Sequence, residues 1–197
     1  MLWVAPLGIF ILSLIPFRDA KGKSTNIAIK TKEIFGPFLF IGPPTQNSID
    51  MTAFRLAKAE VIAKEGVRNT AYYDSEGKLT IGIGHLVLPG DNITYGQTIS
   101  DAKVNEFFEK DLSVAFEAAK IQALDLNKYT PEFIAALTSV NFQLGTGWPN
   151  VFKNTYADLK KGNVSGAISR LQQSKWYGQT PVRVAAFISA IQNAYNA

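Results

Sequence analysis

The chain has 197 residues, 47% of them apolar, enough for one or two small domains with a real core. It contains no cysteine and one His, which excludes a disulfide framework and thiolate chemistry and leaves a metal site without its usual ligands. The net charge is +4, of which residues 1–34 carry +3 and the rest +1, so nucleic-acid binding is a poor reading of the main body.

The first stretch, Met1 to Phe17, has no charged side chain, and its only polar one is Ser13. As a helix it would be about 26 Å long, near the lower limit for crossing a bilayer. No Lys or Arg precedes the apolar run and no Ala-x-Ala site follows it, so the expectation is a membrane anchor rather than a cleaved signal peptide. Residues 18–47 read as a linker: Arg18 to Glu33 is polar and Lys-rich. Ile34 to Pro44 is apolar, too short to span a membrane, broken by Gly and Pro, and expected to pack on a domain. The main domain is expected over residues 48–197.

Phe54, Leu56, Ala57, Val61 and Ile62 recur at helical spacing among Arg55, Lys58, Glu60 and Lys64, and Gly66 is a left-handed stop. Glu65 therefore falls in the last turn of a helix, where the partial negative charge of the helix end disfavours a second negative charge. That suits a carboxylic acid that must hold its proton. Next, Ala71-Tyr72-Tyr73 leads into the turn Asp74-Ser75-Glu76-Gly77, and Lys78 to Ile83 resumes strand composition. This predicts a hairpin with Asp74 and Thr80 near its ends. Gly82 and Gly84 flank Ile83 and leave the backbone open to a ligand. Singly, these residues have ordinary readings as a solvated helix-end Glu, a turn Asp and a strand Thr.

Together they form a pattern: Glu65, eight residues, Asp74, five residues, Thr80, followed by Thr80-Ile81-Gly82-Ile83-Gly84-His85-Leu86. The pattern resembles the catalytic hairpin of the phage-type lysozymes, glycoside hydrolase family 24, to which the T-even phage lysozyme belongs. The resemblance implies three roles. Glu65 would protonate the leaving glycosidic oxygen, Asp74 would activate or orient a water, and Thr80 would hold that water. It also implies inversion, which needs room for water between the two carboxyl groups.

Beyond the hairpin, Pro89-Gly90-Asp91-Asn92 marks a loop. Ser100 caps a helix with Asp101 in its first turn, and Val104, Phe107, Phe108, Leu112, Ala115, Phe116 and Ala119 give it one apolar face. In the family a long helix here joins the two lobes. Thr130-Pro131-Glu132 starts another helix with an apolar stripe from Phe133 to Leu144, stopped by Gly145 and Gly147. Asn154 to Lys161 is a short helix, Asn163 caps one running to about Ser174, and Thr180-Pro181 starts the last.

The resemblance extends over about Ser48 to Tyr195. It matches Leu86, Phe142 and Thr155 to substrate contacts, pairs His85 with Asp111, and brings Arg183 to Glu65. A lone His is more often a structural partner than a catalyst, and His85 is read here as the ion-pair partner of Asp111, titrating above about 6.5. Arg170 stands where the best-known member has Asn, so the resemblance supplies no contact there. Trp176 and Tyr177 are read as core aromatics. The fold implied is α+β and mostly helical: a small β-hairpin lobe, a long connecting helix and a helical C-terminal lobe.

The function implied is a muramidase cleaving the β-1,4 bond between N-acetylmuramic acid and N-acetylglucosamine. No cofactor and no metal are expected, the partner is the peptidoglycan glycan strand, and the catalytic domain is expected to be monomeric. The rivals are a lytic transglycosylase and a non-catalytic virion or wall-binding protein of the same fold. Arg18, Lys21 and Lys23 would stay in the cytoplasm by the positive-inside rule, opposite to where a wall hydrolase works. Carriage in a virion would resolve that conflict.

Overall fold

A computed structural model describes residues 45–74 and 76–196. Helix α1 spans Gln46–Glu65, and the side chain of its cap, Thr45, accepts from the Ser48 amide at 3.3 Å. It therefore starts two residues ahead of Ser48. Ala53, Ala57 and Val61, four residues apart, are its buried face. The helix ends where Gly66 takes a left-handed φ of 68°.

A three-stranded antiparallel sheet follows, in the order β1 (Arg68–Tyr73), β2 (Leu79–Gly82), β3 (His85–Leu86). The predicted hairpin is thus extended by one short strand, and Thr70 also bridges Thr98. Tyr72 pairs with Thr80, and Thr80 pairs with Leu86. Paired residues share a face, so Tyr72, Thr80 and Leu86 lie on one side of the sheet. The opposite side carries Ala71 and Ile81, which form a small core with Ile93 and Phe107.

Helix α2 (Asp101–Asp125) is capped by the Ser100 hydroxyl, which accepts from the Lys103 amide at 3.2 Å. Its predicted apolar face is buried along its length, with Phe107 in the sheet's core and Phe116 in the larger core of the helical lobe. This helix therefore joins the two lobes. Helix α3 (Pro131–Leu144) has nine consecutive buried residues, Phe133 to Asn141, because α1, α2 and the C-terminal helix all pack against it. A fully buried Leu, Ile or Phe contributes about 1.5–3 kcal/mol, so this helix supplies a large share of the lobe's stability.

Two elements were not legible in the chain. Helix α4 (Trp148–Val151) is a single turn between Gly147 and Phe152. Trp148 holds it down, 1% exposed, with its ring edge-on to Tyr156 and Phe187. Helices α5 (Lys153–Lys160) and α6 (Val164–Gln172) follow, close to their expected bounds. Helix α7 (Lys175–Gln179) is capped by Ser174, whose Oγ accepts from the Tyr177 amide at 3.1 Å. Trp176 is buried beside Phe152 and Phe187, as expected. Tyr177 is not a core aromatic. It is 37% exposed, because a helix of five residues can turn only one of two adjacent rings inward. Helix α8 (Pro181–Asn196) closes the lobe. Among the described residues no helix is long and apolar enough to cross a membrane. The Met1–Phe17 run and the segment to Pro44 lie outside those residues.

Candidate active site

Glu65 stands where α1 stops and the chain turns into the sheet. Its Oε1 accepts from Arg183 Nη1 at 2.7 Å, the contact expected from the resemblance, and both side chains are largely buried. On the other side of its carboxyl group is Gly84, at φ 72°. A Cβ at Gly84 would lie 3.4 Å from Glu65 Oε2 and 3.7 Å from the Phe142 ring. Glycine thus lets the backbone pass between the acid and the aromatic, at a φ that other residues rarely adopt. Gly84 also lines a hollow of about 330 Å³ with Leu86 and Leu88 from the sheet side, Val114 and Ala115 from α2, and Asn141 and Phe142 from α3. Glu65 therefore sits at the edge of an opening between the small lobe and the helices.

Asp74 and Thr80 occupy the hairpin. Asp74 Oδ1 accepts from the amides of Glu76 at 2.9 Å and Lys78 at 2.8 Å, an Asx-type turn. The turn bond orients the carboxyl group, and Oδ2 makes neither of these bonds. Thr80 is 6% exposed and its hydroxyl donates to the Lys78 carbonyl at 3.1 Å. Its oxygen lone pairs are left to accept from a water. The turn also reaches the helical lobe: Glu76 Oε1 accepts from Gln179 Nε2 at 3.1 Å, with Lys175 Nζ 3.9 Å away.

Of the expected substrate contacts, Leu86 and Phe142 line this hollow. Thr155 does not. It is 3% exposed and lines a second hollow with Phe152, Lys153, Arg170 and Gln173. There Arg170 Nε donates to Asp158 Oδ2 at 2.8 Å. Among the described residues no group of three or more His, Asp or Glu side chains could hold a metal ion.

The phage lysozyme family model matches residues 63–186. The chain belongs to the phage lysozyme family. Three relatives show its range. It is 31% identical over 131 residues to the peptidoglycan hydrolase gp36 of Pseudomonas phage phiKMV, covering 66% of this chain and 14% of that protein. It is 29% identical over 150 residues to the probable T4-type lysozyme 2 of Dictyostelium discoideum, covering 65% of this chain and 88% of that protein. It is 26% identical over 167 residues to the pre-baseplate central spike protein Gp5 of Enterobacteria phage T4, covering 72% of this chain and 28% of the spike protein. The chain thus spans a small part of the two larger phage proteins and most of the Dictyostelium discoideum protein.

His85 is held from both sides. Its Nδ1 lies 2.6 Å from Asp111 Oδ2 on α2, as expected, and its Nε2 lies 3.1 Å from Asp91 Oδ2. In the sequence Asp91 reads only as a loop residue. A carboxylate six positions after a His, in a loop of unknown path, carried no signal of that contact. Phe107 stacks flat on the ring at 4.0 Å. Burial alone would lower the His85 pKa, but the hydrogen bonds and charges of Asp111 and Asp91 outweigh it and raise the value above 6.5. Burial likewise works against the Asp91 carboxylate, and the Leu88 amide with His85 holds it below the usual carboxylate range.

A raised folded-state pKa means that the His85 contribution is complete below pH 6.5 and is lost as pH rises through the folded value. NMR titration of the ring should give a midpoint above 6.5 in the wild type, and a lower one in Asp111→Asn with a smaller alkaline loss of thermal stability. A wild-type midpoint at or below 6.5 would contradict the double clamp.

Proposed function

We propose that this chain is a peptidoglycan hydrolase, a muramidase that cleaves the β-1,4 bond between N-acetylmuramic acid and N-acetylglucosamine, with residues 48–197 as its catalytic domain. The observation that supports this most directly is Glu65: an acid held by Arg183 beside side-chain-free Gly84, at the edge of an interlobe hollow. A glycan strand in that hollow would bring a glycosidic oxygen to Glu65. Glu65 protonates the leaving oxygen while Asp74, as the carboxylate, activates a water that Thr80 holds, and the products are two shorter glycans. Inversion at the anomeric carbon is the expected stereochemistry, from the family resemblance. Proton transfer and water attack need no cofactor.

The names of two relatives favour this reading: one is a peptidoglycan hydrolase, the other a probable lysozyme. The name of a third, a central spike protein, favours delivery of the activity by a particle, with residues 1–17 serving in anchoring or delivery. The test is digestion of purified peptidoglycan by the full chain, with mass spectrometry of the fragments. Reducing muramic acid ends are expected. Anhydro-muramic ends would make it a transglycosylase, and intact glycan would make it a non-catalytic wall-binding protein.

A further inference from the structure

Asp91 lies on the short 3-10 turn Pro89–Asp91, which follows directly on Leu88, a residue lining the interlobe hollow. One of its oxygens, Oδ2, makes two contacts: it accepts from the Leu88 amide at 2.7 Å and faces His85 Nε2 at 3.1 Å. His85 is fixed in turn by Asp111 and by the Phe107 ring. The turn is therefore tied to β3 and, through the imidazole, to α2. Its own backbone has few other bonds: Asp91 N–H donates to the Leu88 carbonyl, and the Gly90 carbonyl accepts from Asn92 Nδ2 at 3.4 Å.

The two residues this clamp places are Leu86 and Leu88. Both line the hollow, and they are 45% and 50% exposed. Val114 of α2, 58% exposed, lines the same hollow, as do Asn141 and Thr146. An exposed apolar lining with the polar Thr146 beside it suits an N-acetylated amino sugar, whose acetyl methyl needs the first and whose hydroxyls need the second.

We infer that Asp91 is a positioning residue for glycan binding: through the Leu88 amide and His85 it holds Leu86 and Leu88 as the apolar lip of the hollow. This rests on the hydrolase reading. Asp91 touches no reacting atom, so it acts on binding and not on the chemical step. A neutral imidazole can donate from one nitrogen only, so both carboxylates are satisfied only by the protonated ring. The charged groups around that ring are Asp91 on the turn, and Asp111 and Lys110 on α2, with Lys103 lying over the Phe107 ring.

The experiment is a double-mutant cycle in the full chain. Affinity for a soluble peptidoglycan fragment is measured in the Glu65→Gln background, and KM and kcat in the active one. Leu88→Ala removes the lip residue and should weaken binding about tenfold. Asp91→Ala should cause a similar loss with kcat within about twofold, and the pair should be non-additive, because both changes act on one side chain. Loss of the His85 proton should loosen the clamp and raise KM at alkaline pH, and Asp91→Asn, which keeps the shape, should move that rise to lower pH, in step with the NMR titration of His85.

Additive losses, an unchanged affinity in folded Asp91→Ala, or a fall in kcat without a change in KM would overturn the inference. If Asp91→Ala does not fold, the Asp91→Asn pH profile decides, and an unshifted profile overturns it. Absence of glycan binding by the parent would overturn the hydrolase reading and this inference together. Binding by the parent that Asp91 does not influence overturns this inference alone.

Discussion

Replacing Glu65 with Gln is expected to lower kcat on peptidoglycan by roughly 10²–10⁴-fold, the usual contribution of a general acid, while the protein stays folded. Gln is nearly the same size as Glu, and its side-chain oxygen can still accept from Arg183 Nη1, which lies 2.7 Å from Glu65 Oε1. The close passage of Gly84 is likewise undisturbed, since no atom is added. What is lost is the transferable proton. A rate assay on purified peptidoglycan, with a circular-dichroism melt of the same sample, separates the two effects. Activity within a few fold of wild type would remove Glu65 from the role of acid. A collapsed melting curve would instead mean that the Arg183 contact depends on the negative charge.

The second large effect is on stability. Gln122 of α2 sits at the centre of a buried network: its Oε1 accepts from Asn141 Nδ2 at 2.8 Å and Trp148 Nε1 at 3.1 Å. Its Nε2 donates to Asn141 Oδ1 at 2.9 Å and to the Thr146 carbonyl at 3.4 Å. Gln122→Leu keeps most of the volume but leaves the Trp148 N–H and Asn141 Oδ1 without their partner. Each buried orphan costs about 1–3 kcal/mol, so a loss of roughly 2–6 kcal/mol is expected. For a domain of this size that lowers Tm by on the order of 10 °C, readable by calorimetry. Adding Asn141→Leu should recover part of it, because one orphan is then removed rather than stranded. A shift near zero in the single variant would mean that the network has no net stabilising value. Asn141 and Thr146 also line the interlobe hollow, so the same variant should bind glycan more weakly.

The elements read correctly from the chain share one property: their signals are local. α1, α2 and α3 each carry an apolar period, with a capping residue ahead of α2 and α3 and a glycine behind α1 and α3. The hairpin carries its turn residues in one run, and the spacing of Glu65, Asp74 and Thr80 is a property of the chain alone. The Glu65 contact with Arg183, 118 positions away, was legible only through resemblance to a family.

Other features had no local signal. Helix α4 exists because Trp148 finds a hydrogen-bond acceptor on α2 and aromatic partners on α5 and α8. Which of Trp176 and Tyr177 faces inward depends on how α7 meets Phe152 and Phe187. Asp91 and Gln122 read as a loop acid and a polar helix residue until the fold brings their partners to them. By itself, then, the sequence determined the longer helices, the hairpin and the order of the candidate catalytic groups, because caps, periods and turns act over a few residues. Only the tertiary structure decided the double clamp on His85, the buried amide network and the walls of the hollow. Those depend on side chains far apart in the chain meeting at hydrogen-bond distance, and no pattern of spacing encodes such a meeting.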